Sequence, residues 1–261
     1  MPTDRLPGRR PIGLLSALSV GATVLTISAS RPIVSASAVT ALLSAQATRT
    51  PNILFRDDFS TRADRWTLMA ENNAAATIAY SAPVASPDDK SAESALIFRV
   101  NGPVGPLVST PDTELLPDTF SLDMQATWTG ISSAVIDKHA RVGAVLAQYG
   151  DGDFIAVTVS HDGLVQVSHY QNTWQDLVPP QHTPISDLSA LNFHIVLSAP
   201  DVTSTDRQID VSLNNMPVLT GILSNYTAGT FGIMADNSTD ATSSTMIFSV
   251  HHFQISESPS P

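Results

Sequence analysis

Apolar and polar positions alternate along nearly all of this chain from residue 52 onward. A strand buried on one face requires that period, because successive side chains leave opposite faces of a sheet. Runs of this kind, separated by turn residues, predict strands over 53–59, 76–81, 95–100, 119–129, 140–149, 153–160, 164–171, 191–199, 207–213, 216–222, 229–235 and 244–255. No stretch shows the apolar spacing of an amphipathic helix. The pattern predicts an all-β, two-sheet sandwich forming one domain over 51–256. Pro- and Asp-rich stretches at 83–94 and 110–119 read as loops, and 257–261 as a disordered tail.

Two hairpins allow a register to be derived. In "DFIAVTVSHDGLVQVSHY" a three-residue loop, His161-Asp162-Gly163 with Gly163 left-handed, sets Val159 opposite Val165 and Val157 opposite Val167. A two-residue turn would face valines with Gln166 and Ser168, so burial selects the longer loop. The inward set is then Ile155, Val157, Val159, Val165 and Val167, while Phe154, Thr158, Gln166 and Tyr170 face outward to solvent. In "RQIDVSLNNMPVLTG" a left-handed Asn214-Asn215 turn sets Leu213 opposite Met216 and Val211 opposite Val218. Pro217 has no N–H to donate, so its nitrogen should point away from a neighbour or sit in a bulge.

The first fifty residues differ. A basic lead, "MPTDRLPGRR", precedes an uncharged run over 11–30, and "ASA" at 36–38 and "AQA" at 45–47 fit a small-x-small cleavage site. Residues 1–50 read as a secretory signal, with an uncleaved N-terminal membrane anchor as the alternative. Either places the remainder outside the cytoplasm.

Composition narrows the classes further. The chain has no cysteine, which excludes disulfides and thiolate metal sites. Five of its 13 basic residues and one of its 24 acidic residues precede residue 51, leaving 8 basic against 23 acidic, a net charge of −15 over 51–261. Such a surface repels phosphate, so nucleic acid is excluded as a partner, and a membrane is met only through the N-terminal segment.

Several stretches, in order, resemble one family. "LFRDDFSTRADRW", the central hairpin with its following Trp174, "IDVSLNNMPV", "GTFGIMADN" and "MIFSVHHFQI" are similar to elements of bacterial concanavalin A-like lectin/glucanase domains of the laminin-G-like kind. The resemblance spans about residues 53–256. It implies a jelly-roll sandwich with one concave and one convex sheet, a fold that hosts lectins, adhesion modules and glycoside hydrolases. His251-His252 stand where that closing strand often carries Asp or Asn.

Candidate chemistry is sparse. Glycosidases of this fold place paired carboxylates on one strand as Glu-x-Asp-x-Glu. Here Glu occurs only at 71, 93, 114 and 257, and the strand aspartates Asp123 and Asp210 each stand alone. His251 and His252 are adjacent and so should face opposite sides of a strand, one buried and one exposed. Asp57 and Asp58 are the candidate metal ligands, for calcium, near His251 or His252 if the first and last strands lie close. Trp174, Tyr170, Tyr149, Asp151 and Asp153 are the candidate ligand-binding set, an aromatic platform beside planar polar groups. His169 reads as a satisfied core histidine, and Trp66 and Trp128 as packing. The expectation is an exported, non-catalytic module binding carbohydrate or another extracellular polymer. The alternatives are a structural or adhesive module and a glycoside hydrolase of the same fold.

Overall fold

The computed structural model describes residues 51–60, 65–68, 76–81, 94–112, 117–129, 139–201, 203–237 and 245–258. The signal or anchor over 1–50, most of the 83–94 loop, residues Glu71, Glu93 and Glu114, and residues 259–261 of the tail lie outside them. Among the described residues there is no helix. The strands are β1 (Ile53–Asp57), β2 (Ala76–Ser81), β3 (Ala95–Asn101), β4 (Val104–Ser109), β5 (Phe120–Thr129), β6 (Arg141–Gly150), β7 (Asp153–Ser160), β8 (Leu164–Gln171), β9 (Trp174–His182), β10 (Ala190–Ser198), β11 (Arg207–Leu213), β12 (Met216–Leu223), β13 (Thr230–Asn237) and β14 (Thr245–Glu257).

They form two antiparallel sheets. One has eight strands in the order β12-β11-β10-β5-β14-β3-β2, with β1 also on β14; the other has six, in the order β4-β13-β6-β7-β8-β9. One edge of β14 pairs with β5, and the other is shared between β3 and β1, so the first and last strands are neighbours. Phe231 of β13 stacks on Phe253 of β14 at 5.5 Å, joining the sheets through the core. Trp66 and Trp128 are both buried in that core.

The alternating pattern missed β4 and β9. Each carries residues that argue against a strand, Gly105-Pro106 in one and Pro179-Pro180 in the other. Both lie at edges of the six-stranded sheet, where a missing N–H leaves no neighbour unpaired. Trp174 therefore opens β9 and pairs with Tyr170.

The β7–β8 register is as derived, with Val159 opposite Val165, Val157 opposite Val167, and Gly163 at φ +83°. The five inward residues are buried. The second hairpin needs one correction. Asn214 and Asn215 are left-handed and Leu213 faces Met216, but Val211 faces Leu219. The strand bulges at Pro217–Leu219, which makes Val218 the extra residue. A second bulge at Val250–His252 alters the histidine expectation: His251 reaches Thr127 Oγ1 at 3.0 Å, and both histidines are half-buried.

The outer faces of the two sheets differ. On the eight-stranded sheet Gln125, Asn192 and His194 are exposed, as alternation predicts. On the six-stranded sheet, however, Phe154, Ala156 and Thr158 are buried. The expectation that Phe154 and Thr158 face solvent fails because a second apolar cluster of Val145, Phe154, Ala156 and Met234 forms there, covered in part by Tyr170 and Trp174.

Candidate functional site

The cover over this second cluster defines the shape of the sheet. Trp174 Nε1 on β9 donates to Asp236 Oδ2 on β13 at 3.0 Å. Four interstrand steps separate those strands. In a flat sheet they would stand about 19 Å apart, more than an indole and a carboxylate span together. The sheet must therefore curve, with this outer face concave.

Arg141 at the start of β6 completes the cluster. Its guanidinium lies 4.6 Å from the Trp174 ring centroid, and its Nε is 3.6 Å from Asp236 Oδ2. Asp236 is fully buried and the Arg141 side chain is 12% exposed. Burial pulls the guanidinium below its ordinary pKa, against the opposing charges of Asp236 and Asp176. Arg141 Nε and Nη1 and Thr158 Oγ1 are buried without a hydrogen-bond partner. Nearby, Asp176 is exposed, and its Oδ1 accepts from Ser168 Oγ at 2.7 Å and Gln166 Nε2 at 3.1 Å. The concave face thus combines stacked aromatics, a guanidinium with unsatisfied donors and a carboxylate open to solvent.

The five residues proposed from sequence divide between two places. Tyr170 and Trp174 lie on the concave face, Tyr170 stacked on Phe154 at 5.2 Å and 5.1 Å from Trp174. Tyr149 and Asp153 lie with His169, whose Nε2 is 2.7 Å from Asp153 Oδ1. Asp153 also accepts from Gln171 Nε2 at 3.0 Å, and these bonds, His169 first, hold its carboxyl below the usual range. Asp151 sits exposed in the β6–β7 turn. The division follows from alternation: Tyr170 and His169 are adjacent on β8 and leave opposite faces. His169 is at the margin of the core, about one quarter exposed.

Asp57 and Asp58 are engaged locally. Asp57 Oδ1 accepts from Phe59 N at 2.7 Å and Oδ2 from Trp66 Nε1 at 3.0 Å, which fixes the left-handed Phe59 and anchors Trp66. Asp58 Oδ1 accepts from the backbone and hydroxyl of Ser60. Among the described residues no three His, Asp or Glu side chains form a metal-binding group. Each Asp57 oxygen thus accepts one hydrogen bond within the β1 turn. Asp58 does act on His252, though burial dominates and lowers that histidine's pKa.

Sequence reasoning missed Arg141, Asp176 and Asp236. Arg141 and Asp236 are directly opposed between β6 and β13. Ninety-five residues of chain separate them, and no local turn sets that register. Asp123 also has a partner that sequence did not supply: its Oδ1 is 2.7 Å from His194 Nδ1 on β10.

No protein-family model matches the chain, and no curated protein does. Solved structures do match in shape. The endo-β-1,4-glucuronan lyase of the fungus Trichoderma reesei gives a TM-score of 0.54 at 11% identity, over 79% of this chain and 96% of that one. An endo-β-galactosidase from Clostridium perfringens gives 0.50 at 10% identity, over 80% and 63%. A carbohydrate-binding module from Bacillus subtilis gives 0.48 at 11% identity, over 76% and 99%. The fold is the concanavalin A-like jelly roll.

Proposed function

We propose that the chain is an exported, non-catalytic module that binds carbohydrate, or another extracellular polymer rich in hydroxyl groups, on the concave face of its six-stranded sheet. The observation that carries this reading is the placement of the Tyr170–Trp174 aromatic pair and the exposed Asp176 carboxylate side by side on that face. Asp176 accepts from Ser168 and Gln166 through Oδ1, which leaves its Oδ2 lone pairs for ligand hydroxyls. The local charge, one guanidinium beside Asp236 and Asp176, suits a neutral polyol better than a polyanion. The lyase and the galactosidase carry glycans in their names, which supports a glycan ligand and has no bearing on the absence of catalysis. Export rests on the basic lead and uncharged run of residues 1–30. Tyr170 and Trp174 would frame the site, and no calcium ligand is assigned.

The test is a glycan and polysaccharide array probed with the full chain and with Asp176→Ala, a substitution at an exposed position of the face. Binding that the substitution reduces by about tenfold or more supports the reading, one decade being about 1.4 kcal/mol. If the parent chain binds nothing, the structural or adhesive alternative replaces it. That alternative draws on one observation, that Arg141 already covers the face of Trp174. Sugar release from a bound polysaccharide would replace it with the hydrolase reading.

A further inference from the structure

The aromatic platform of the concave face is not bare. The Arg141 guanidinium lies over the Trp174 ring, 4.6 Å from its centroid. A sugar ring stacks its C–H groups on an indole face, so ligand and guanidinium compete for one surface. Little holds the guanidinium there. Its Nε stands 3.6 Å from Asp236 Oδ2, an ion-pair distance but too long for a hydrogen bond. Nε and Nη1 are buried without a partner. Burial outweighs the charges of Asp236 and Asp176 and lowers the pKa of the side chain, so the cation has lost more in water than the two carboxylates return. A cation–π contact offsets only part of that loss.

A second position is open to the guanidinium. Asp176 lies on the same strand as Trp174, faces solvent and acts on the Arg141 charge. Its Oδ1 is engaged by Ser168 and Gln166. Its Oδ2 has lone pairs enough for a guanidinium N–H and a ligand hydroxyl together. The Trp174 Nε1–H bond to Asp236, at 3.0 Å, does not involve Arg141, so it holds the indole in place when the guanidinium moves.

We infer that Arg141 is a displaceable cap on the concave site: it occupies the Trp174 face in the free protein, and an incoming neutral sugar ring turns it out toward Asp176. This regulation rests on the reading of the concave face as a glycan site. The cap lowers apparent affinity, because only the uncapped fraction of the protein presents the ring.

The test compares the full chain with the double variant Arg141→Ala, Asp236→Asn, which removes the cap, leaves no buried charge alone and keeps an acceptor for the Trp174 indole. Acrylamide quenching of tryptophan fluorescence reads the cap without any glycan, since Trp66 and Trp128 are buried and Trp174 is the more accessible indole. The variant should be quenched more strongly than the parent. A measurement that needs no variant is the NMR resonance of the Arg141 Nε proton in the parent, which the Trp174 ring current should move upfield of free arginine. Cellohexaose, laminarihexaose and xylohexaose are the glycan probes. A probe that binds the parent should return that proton toward its free position and bind the variant about tenfold more tightly, the factor that one cation–π contact can withhold. Equal quenching, an unshifted Arg141 proton, or binding by the variant that is equal or weaker overturns the cap. Binding of no probe by either protein counts against the glycan reading instead, and the quenching and the proton shift still decide the cap.

Discussion

Trp174 and Asp236 join the two sides of one curved sheet, indole nitrogen to carboxylate at 3.0 Å, across the outer face of the three strands between them. The same carboxylate faces Arg141 at 3.6 Å. Trp174→Phe keeps an aromatic ring over Phe154 and removes the donor. It is expected to cost about 1–3 kcal/mol by urea denaturation, the range for leaving a buried acceptor short of a partner. Asp236→Asn should cost more, about 3–5 kcal/mol, because it leaves a mostly buried guanidinium without its counter-ion. A double-mutant cycle should show coupling between the two positions. Strictly additive effects would mean that the indole and the carboxylate do not act on each other.

Gly221 on β12 sets how closely the two sheets approach at one edge. A Cβ added there would lie 2.4 Å from Val178 Cγ1 on β9. Gly221→Ala is expected to destabilise by about 1–3 kcal/mol, the usual cost of overpacking. Val178→Ala in the same chain should recover part of that loss. Thermal melts of the single and double variants decide the matter, and a neutral Gly221→Ala would show that the edge relaxes freely.

The β11–β12 turn contains two left-handed asparagines with different duties. Asn215 supplies only the backbone angle, at φ 63°. Asn214 also accepts from Asn192 N at 2.7 Å and donates to Ala190 O at 3.0 Å. Asn215→Gly should therefore be neutral or mildly stabilising, since glycine takes this conformation without strain. Asn214→Gly should cost about 1 kcal/mol or more through the two lost hydrogen bonds. Equal effects at both positions would contradict this assignment.

Alternation and turn chemistry act within a few residues, so the valine register of β7–β8 and the asparagine turn are legible in the sequence alone. β4 and β9 are not, because their prolines argue against strands and only an edge position tolerates them. The concave face is illegible for another reason. Trp174, Arg141 and Asp236 meet through the curvature of a sheet assembled from non-consecutive strands. A charged residue at a strand end carries no local sign that its partner lies 95 residues away. The ligand set inferred from one hairpin is therefore divided between two faces, although its members are close in sequence.

His194 and His252, on neighbouring parts of the eight-stranded sheet, should give the folded state two opposing pH dependences. The hydrogen bond to Asp123, then that residue's charge, outweighs burial and raises the His194 pKa above 6.5. Burial first, then Arg56, lowers that of His252. A raised folded pKa contributes stability that is complete below the unfolded value and fades as pH rises through the folded one. A lowered one contributes stability present above the unfolded value and lost as pH falls through the folded one. Around pH 6.5 the His194 slope opposes that of His252 and that of His161, whose pKa burial also lowers. Asp123→Asn removes the charge that supports His194 and one that supports protonation of His252, so both changes act in the same direction. The variant should gain stability with rising pH across this window more steeply than the parent. Imidazole titrations by NMR should place His194 above His252 in the parent and bring them closer in the variant. A His194 pKa that does not move on Asp123→Asn would mean that the 2.7 Å contact does not hold its proton.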